Sequence, residues 1–163
     1  MKVAVCPGSF DPVTVGHLDI IRRAAGLFDK VLVVVMTNYA KKPLFNKDER
    51  MDMIRRVTAD IPNVEVDAFD GLLADYTREK QAVAVVKGLR AMSDFEYEFQ
   101  MALTNRHLNP GTETVFLTTT AEHMYISSSL IKQVAGLGGD VSSFVPAEIL
   151  PEIVEKIRKD VAR

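Results

Sequence analysis

Five short apolar runs alternate with amphipathic stretches along this chain, and that alternation constrains its fold more than any other feature. The runs lie at 2–6, 30–36, 63–69, 82–87 and 113–119. The second of them, "KVLVVVM", is apolar at consecutive positions, which is typical of a parallel strand covered on both faces. Because β-then-α units in series require right-handed crossovers, the sequence predicts an α/β fold: a doubly wound five-stranded parallel sheet with helices on both faces.

The segments between the runs have the periodicity and the end signals of helices. The first helix presents a core-facing stripe made of Leu18, Ile21, Ala25 and Phe28. Asn46 is a plausible N-cap for the second helix, and Glu49 three residues later completes a capping-box pattern. Further helices are predicted at 72–80, 94–108 and 127–137, and Pro146 is predicted to open the last one.

Composition limits the kinds of protein that this chain can be. Its 163 residues are 47% hydrophobic and 26% charged, as expected of one globular domain spanning 1–163. A net charge of −2 gives no global attraction to nucleic acid or to an anionic membrane, so we expect neither as a partner. Cys6 is the only cysteine, and the longest aliphatic run, 31–36, is far too short to span a membrane. With no signal-peptide pattern at the N-terminus, a cytoplasmic location is expected.

In a doubly wound sheet, ligands bind beyond the carboxyl ends of the strands, at the point where the strand order reverses. This rule selects the loops after Cys6, Met36, Phe69, Lys87 and Thr119 for closer reading. The pattern alone does not fix the strand order. Neither G-x-x-x-x-G-K-[ST] nor a G-x-G-x-x-G after the first strand is present, which excludes a P-loop nucleotidase and removes the main support for dinucleotide redox chemistry.

The opening loop, "CPGSFDPVTVGHLDII" (6–21), is longer than a simple strand-to-helix turn needs. Gly8 and Gly16 allow a ligand to approach the backbone closely. His17 lies at the start of the first helix, where free N–H groups and the helix dipole favour an anion. A histidine there can donate to phosphate oxygens, and a nearby anion would favour its charged form. The alternative is a histidine that caps the helix and holds no ligand.

Three further loops carry groups suited to phosphate. Lys41 precedes Lys42 in the second loop, although paired loop lysines are also common on solvated surfaces. Lys87 and Arg90 flank Gly88 in the fourth loop, where they form a possible phosphate cradle. Ser127–Ser129 open a helix and offer hydroxyl and N–H groups to an anion, or else one serine merely caps that helix. Because the fold gathers these loops at one edge, they predict a ligand with several phosphates, such as a nucleoside triphosphate.

Several of these segments also resemble those of a known family. "PGSFDPVTVGHLDII", with Thr14-x-Gly16-His17 at the T/H-x-G-H signature, "KKPLF", "KGLRAMSDFEYEFQMALTNRHL" and "ISSSLIK" resemble, in the same order, the landmarks of the bacterial phosphopantetheine adenylyltransferases of the nucleotidyltransferase superfamily. The resemblance runs from Val3 to about Pro146. The T-x-G-H part marks only the superfamily, whereas the "GLR…DFEYE…NRHL" block together with "ISSSL" is specific to this enzyme family.

The resemblance implies transfer of AMP from ATP to 4′-phosphopantetheine, giving dephospho-coenzyme A and pyrophosphate by in-line attack of the substrate phosphate. It implies catalytic roles for His17, Lys41 and Arg90, with His17 as the transition-state stabiliser, and a phosphopantetheine site at Ser9, Lys41, Leu73 and Lys87. It places ATP at Ser9, Phe10, His17, Gly88, Leu89, Arg90, Glu98, His123, Met124, Tyr125, Ile126, Ser127, Ser128 and Ser129. The chain departs from many relatives at Ser9, at Lys87, where an arginine is common, and at His123-Met124.

The resemblance also implies a homohexamer and feedback inhibition by coenzyme A. Since no carboxylate cage is visible in the sequence, Mg²⁺ is expected to arrive with ATP, held largely by phosphates and water, and no metal site of the protein's own is predicted. Two other functions stay open at this point. One is adenylyl transfer to another small phosphate such as nicotinate mononucleotide, and the other is ATP binding without turnover, as in a regulator.

Overall fold

The computed structural model describes residues 1–90 and 92–163 and contains the parallel sheet that the sequence predicts. Its five strands are β1 (Val3–Gly8), β2 (Lys30–Met36), β3 (Val64–Phe69), β4 (Ala84–Leu89) and β5 (Glu113–Thr118). All four pairings are parallel and the order is β3-β2-β1-β4-β5. The order reverses between β1 and β4, so the loops that follow these two strands border the crevice where ligands bind in such sheets.

The helices follow the strands as predicted, with one boundary that the sequence placed wrongly. They are α1 (Val15–Leu27), α2 (Lys47–Val57), α3 (Leu73–Glu79), α4 (Met92–Leu108), α5 (Ser128–Gly136) and α6 (Leu150–Val161), with a 3₁₀ turn at Ala121–His123. Pro146 does not open α6, which begins at Leu150. The reason is Pro151: it has no N–H to donate to the carbonyl of Ala147, so a helix that began at Pro146 could not continue. Pro151 instead lies in the first turn of α6, where a missing N–H is harmless.

The start of α2 confirms the capping box. The side chain of Asn46 accepts from the N–H of Glu49 (2.8 Å), and the Glu49 carboxylate accepts from the N–H of Asn46 (2.8 Å). Lys156 of α6 donates to both oxygens of the same carboxylate (2.8 and 2.9 Å). Hydrogen bonds from Lys156 lower the pKa of Glu49. The cap therefore also links α2 to α6.

Most of the core lies on one face of the sheet, beneath α1, α2, α5 and α6. The buried helix residues on this face are Ile21, Met53, Ile54, Ile131, Ile153 and Ile157. A smaller cluster, which includes Val5, Val34 and Tyr76, lies on the other face beneath α3. On α4, Phe95 and Phe99 share a side of the helix, and their rings stack on one another where they are partly exposed to solvent (centroids 5.5 Å apart). The single chain thus leaves an apolar face on α4 uncovered.

Candidate active site

A cavity of about 490 Å³ opens where the strand order reverses. Its wall combines the opening loop after β1, the start of α1, the ends of β4 and the start of α5. A second pocket of about 230 Å³ adjoins it and shares Ser9, Lys87 and Glu98 with it. A larger cavity, of about 760 Å³, runs along α6, but Lys132, Lys156 and Lys159 in its wall are paired with carboxylates. Both cavities contain cationic side chains, but the 490 Å³ cavity is the one that lies at the reversal point of the sheet.

The opening loop is fixed by Asp11, a buried carboxylate. It accepts hydrogen bonds from the N–H groups of Leu44 and Phe45 (both 2.9 Å), and it forms an ion pair with Lys132 of α5 (3.0 Å). One side chain therefore ties the opening loop to the second loop, which carries Lys41, and to the helix that begins with the serines. The next peptide bond, Asp11–Pro12, is cis.

His17 belongs to a reciprocal cap at the start of α1. The hydroxyl of Thr14 accepts from the N–H of His17 (3.1 Å), and Nδ1 of His17 accepts from the N–H of Thr14 (3.0 Å). Because Nδ1 is an acceptor, the proton of the neutral ring is on Nε2. The ring packs edge-on against Phe10, with centroids 5.0 Å apart. Thus the cap and Phe10 together determine how the imidazole is oriented.

The electrostatic setting of His17 favours a neutral ring in the free protein. Burial, followed by the positive charges of Arg90 and Lys87, lowers the pKa of His17 from 6.5 to about 4. The ring is therefore neutral at physiological pH in the free protein, and its Nε2–H is a donor without a full charge. His17 therefore caps α1, as the alternative prediction has it, and the same residue also lines the cavity.

At the starts of α1 and α5, three backbone N–H groups lack a protein acceptor within the part of the chain that the structure describes. In α1 the N–H of Val15 donates to Phe144 (3.0 Å) and that of His17 donates to Thr14, which leaves Gly16 free. In α5 the N–H of Leu130 donates to the hydroxyl of Ser127 (3.1 Å), which leaves those of Ser128 and Ser129. Gly16, Ser128 and Ser129 all line the cavity. Free N–H groups and two helix dipoles thus favour an anion there.

The serines do not act alike. The hydroxyl of Ser127 caps α5, and that of Ser128 donates to the carbonyl of Pro12 (2.8 Å), which joins α5 to the opening loop. Two of the three serine hydroxyls therefore stabilise the structure of the site. The groups that this segment leaves free to bind an anion are the backbone N–H groups of Ser128 and Ser129.

Three cationic side chains complete the cavity. Lys41 extends from the second loop and is exposed, while Lys87 lies 3.6 Å from Glu98 of α4. Arg90 donates to the carbonyl of Ile126 (3.0 Å) and pairs with Asp94 (3.3 Å). The contact between Arg90 and Ile126 joins the fourth loop to the fifth, as required if both loops hold one ligand.

The predicted site residues fall into three groups. The wall of the 490 Å³ cavity contains Ser9, Phe10, His17, Lys41, Lys87, Gly88, Arg90, Glu98, His123, Ile126, Ser127, Ser128 and Ser129. Leu73 lies in the adjoining pocket, beside Lys87. Leu89, Met124 and Tyr125 are absent from both walls, and the Tyr125 ring packs against Phe144 instead (centroids 5.8 Å apart).

Sequence reasoning passed over several residues that shape the site. Thr14 belongs to the signature quoted above, and a threonine three residues before His17 is also a capping signal that the sequence itself shows. The spacing of Arg90 and Asp94 is that of an i,i+4 ion pair, but Asp94 was not considered. Asp11 gave no signal beyond its place in a turn, since its partners at 44, 45 and 132 are distant in sequence.

The described residues contain no group of three or more His, Cys, Asp or Glu side chains arranged to hold a metal ion. Among the helices of the same ranges, none is both long enough and apolar enough to cross a membrane. The wall of the 490 Å³ cavity does contain two carboxylates, Asp94 and Glu98, but each already faces a cation.

The family model described as cytidylyltransferase-like matches residues 5–134, which is most of the chain and shows that it is a nucleotidyltransferase. The Rossmann-like sheet and the cavity at its reversal point agree with that class. A bifunctional NMN adenylyltransferase/ADP ribose pyrophosphatase from Francisella tularensis shares the fold with a TM-score of 0.73 at 16% identity, covering 99% of this chain and 52% of that one. The sequence comparison is more specific. The phosphopantetheine adenylyltransferase of Caldanaerobacter subterraneus subsp. tengcongensis is 57% identical, covering 98% of this chain and 99% of the relative.

A phosphopantetheine adenylyltransferase from Clostridium botulinum is 56% identical, with 96% of each chain covered. The chain belongs to the phosphopantetheine adenylyltransferase family.

Proposed function

We propose that this protein transfers the adenylyl group of ATP to 4′-phosphopantetheine and releases pyrophosphate. The observation that carries the proposal is the convergence of three free helix N–H groups with Lys41, Lys87 and Arg90 around a neutral His17 in one cavity. Such a set favours a polyphosphate with several negative charges over a single phosphate. The identity of the acceptor, 4′-phosphopantetheine, is inferred from the family to which the chain belongs.

The reaction needs alignment and charge stabilisation more than acid–base chemistry. The attacking group is a phosphate oxygen that already bears charge, so no residue has to remove a proton from it. As that oxygen bonds to the α-phosphorus, the bond to the bridging oxygen breaks and pyrophosphate leaves with the electron pair. The Nε2–H of His17 donates to the charge that builds on the α-phosphoryl oxygens, while Lys41 and Arg90 neutralise it.

The adjoining 230 Å³ pocket suits the arm of the acceptor. Its wall mixes apolar side chains, Leu73 and Met101 among them, with the amides of Asn38 and Asn105. A pantetheine arm has the same mixed character, with two amide groups along an aliphatic chain. Lys87 lies in both walls and can therefore hold the phosphate at the end of that arm beside the ATP phosphates.

We expect Mg²⁺ to enter with ATP as part of the substrate, where it would neutralise phosphate charge. The chemistry of the carboxylates fits this arrangement, because Glu98 and Asp94 are held by Lys87 and Arg90. The triphosphate and water, rather than a protein cage, would then supply most of the ligands of the ion.

We further propose a cytoplasmic homohexamer that coenzyme A inhibits. The uncovered face of α4 supports association, since Phe99 is 47% and Leu103 55% exposed in the single chain, and apolar patches of this kind mark interfaces. The hexameric number and the inhibition follow from the family. Light scattering would test the first by a native mass six times the chain mass of 18.1 kDa. Adding coenzyme A to the assay below would test the second.

The test of function is release of pyrophosphate from ATP and Mg²⁺, with 4′-phosphopantetheine or nicotinate mononucleotide as the acceptor. We expect release with 4′-phosphopantetheine alone. Release only with the mononucleotide would keep the chemistry and refute the acceptor, and ATP binding without release with either would favour a regulator. His17→Ala should lower turnover by roughly 10²–10³, the typical effect of removing one preorganised donor. Turnover within about threefold of the original protein would refute the role of His17.

A further inference from the structure

Arg50 is a buried cation of α2 that lies behind the opening loop. It is 6% exposed, and its Nη1 donates to the carbonyl oxygen of Ser9 (2.9 Å) while its Nε donates to that of Asn46 (3.3 Å). Both acceptors are neutral carbonyls. Within residues 1–90 and 92–163, no carboxylate oxygen lies within 4.0 Å of its side-chain nitrogens.

The bond from Arg50 fixes how the Ser9–Phe10 peptide is turned. A trans peptide is planar, and its C=O and N–H point in opposite directions. Arg50 takes the carbonyl of Ser9 on the protein side and is absent from both pocket walls, whereas Ser9 and Phe10 line the 490 Å³ cavity. The N–H of Phe10 is therefore turned toward the cavity side, and no protein acceptor takes it in the part of the chain that is described.

Phe10 shows that this peptide orientation is held against local preference. Its φ is +48°, in the left-handed region that a non-glycine residue seldom adopts. Such a conformation costs on the order of 1 kcal/mol and persists only where the surroundings enforce it. The ring of Phe10 is buried against His17, which anchors one side of the residue, and Arg50 anchors the peptide on the other.

The charge of Arg50 adds to the effect. A buried guanidinium without a carboxylate nearby raises the potential of the loop that it holds. Arg50 also helps to lower the pKa of Asp70, although hydrogen bonds from Lys47 and Thr37 contribute more. An anion in the cavity would supply the opposite charge that the protein itself does not place beside Arg50.

We propose that Arg50 is a positioning residue: it turns the Ser9–Phe10 peptide so that the N–H of Phe10 donates to a phosphate of the bound nucleotide. The inference rests on the proposed function for the identity of that nucleotide. Arg50 itself does not touch the ligand. It acts through the backbone of the loop.

The test compares Arg50→Lys and Arg50→Met, with Arg55→Met on the exposed side of the same helix as the control. A hydrogen bond to a charged group is typically equivalent to about a tenfold to hundredfold change. We therefore expect Arg50→Met to lower kcat/KM for ATP by at least about tenfold, Arg50→Lys to fall between, and Arg55→Met to match the original protein. A kcat/KM for Arg50→Met within about twofold of the control would overturn the proposal.

Two further readouts separate positioning from folding. Guanidinium ion at tens of millimolar should restore part of the activity of Arg50→Ala and none to Arg55→Ala. A backbone ester at Phe10, which removes the N–H alone, should lower kcat/KM as Arg50→Met does, and the two changes together should lower it no further. Additive losses would mean that Arg50 and the N–H act separately, and would refute the inference.

Stabilisation by ATP makes the test independent of the acceptor. The rise in melting temperature that ATP produces should shrink in Arg50→Met and persist in Arg55→Met, even if the protein turns over neither acceptor. An unchanged rise in Arg50→Met would count against the positioning role. The absence of turnover in the original protein would count only against the proposed function.

Discussion

The neutral state of the half-buried His17 predicts a specific dependence of stability on pH. In the folded chain the pKa is lowered to about 4, mainly by burial and then by Arg90 and Lys87, whereas an unfolded histidine has a pKa of 6.5. Between these values the unfolded chain binds a proton that the folded chain does not. Acidification therefore favours unfolding, and the contribution of His17 to stability is present above pH 6.5 and lost as the pH falls toward 4.

The size of the effect follows from the two pKa values. One pKa unit corresponds to about 1.4 kcal/mol, so the full loss is roughly 3 kcal/mol. The comparison variant is His17→Asn, whose carbonyl oxygen can accept from the N–H of Thr14 in place of Nδ1 but does not titrate. Subtracting the two proteins cancels the carboxylates, which titrate in both.

The assay is urea unfolding of both proteins at one fixed protein concentration, repeated from neutral pH to about pH 4. The free energy of unfolding of the original protein should fall by roughly 3 kcal/mol more than that of His17→Asn. Parallel curves would show that the imidazole titrates alike in the folded and unfolded chains. Its burial among cations would then be refuted, together with the neutral donor in the proposed reaction.

Other predictions follow from the same geometry. Thr14→Val should destabilise the protein by about 1 kcal/mol and lower turnover through loss of the cap on His17, while Thr14→Ser should retain both, as thermal unfolding and pyrophosphate release would show. Gly88→Ala should destabilise by about 1–3 kcal/mol, because its Cβ would lie 2.9 Å from Cγ1 of Ile20. In the same unfolding assay, the double variant with Ile20→Ala should lose less stability than the sum of the two single losses, because the clash is then absent. In a pH profile of pyrophosphate release, turnover should fall on the acidic side at about pH 6, where a phosphate monoester takes a proton. The fall should occur at the same pH in His17→Ala.

Local signals in the sequence were enough for the elements and for one cap. The patterns that predict the strands, and those that predict the capping box at Asn46, lie within short segments of the chain, and both predictions are confirmed. The predicted start of α6 at Pro146 is wrong, because the prediction considers Pro146 alone. Pro151, which is also visible in the sequence, requires a later start. The strand order depends on which crossover lies on which side of β1, and periodicity does not encode that choice.

The site was predictable as a set of residue types at one edge of the sheet, but not as a set of bonds. The side chains of Asp11 and Arg50 form these hydrogen bonds with groups in distant segments of the chain, so no spacing in the sequence reveals them. The protonation of His17 is a further case. The sequence indicates only that an anion near His17 would favour its charged form, whereas burial and the cations of another loop, which no local pattern shows, lower its pKa in the free protein.

Under the proposed reaction, a neutral histidine among cations divides the work of the site. Lys41, Lys87 and Arg90 attract the charge that builds during transfer, but they also attract phosphate charge that is present before and after it, so part of their attraction is common to the ground state and the transition state. A fourth full charge at His17 would strengthen that uniform binding and be costly to bury. A neutral Nε2–H, whose direction is fixed by the hydrogen bond from Thr14 to Nδ1, stabilises an acceptor only when that acceptor lies along the N–H bond. It therefore discriminates by position, which is the property that selective binding of the transition state requires.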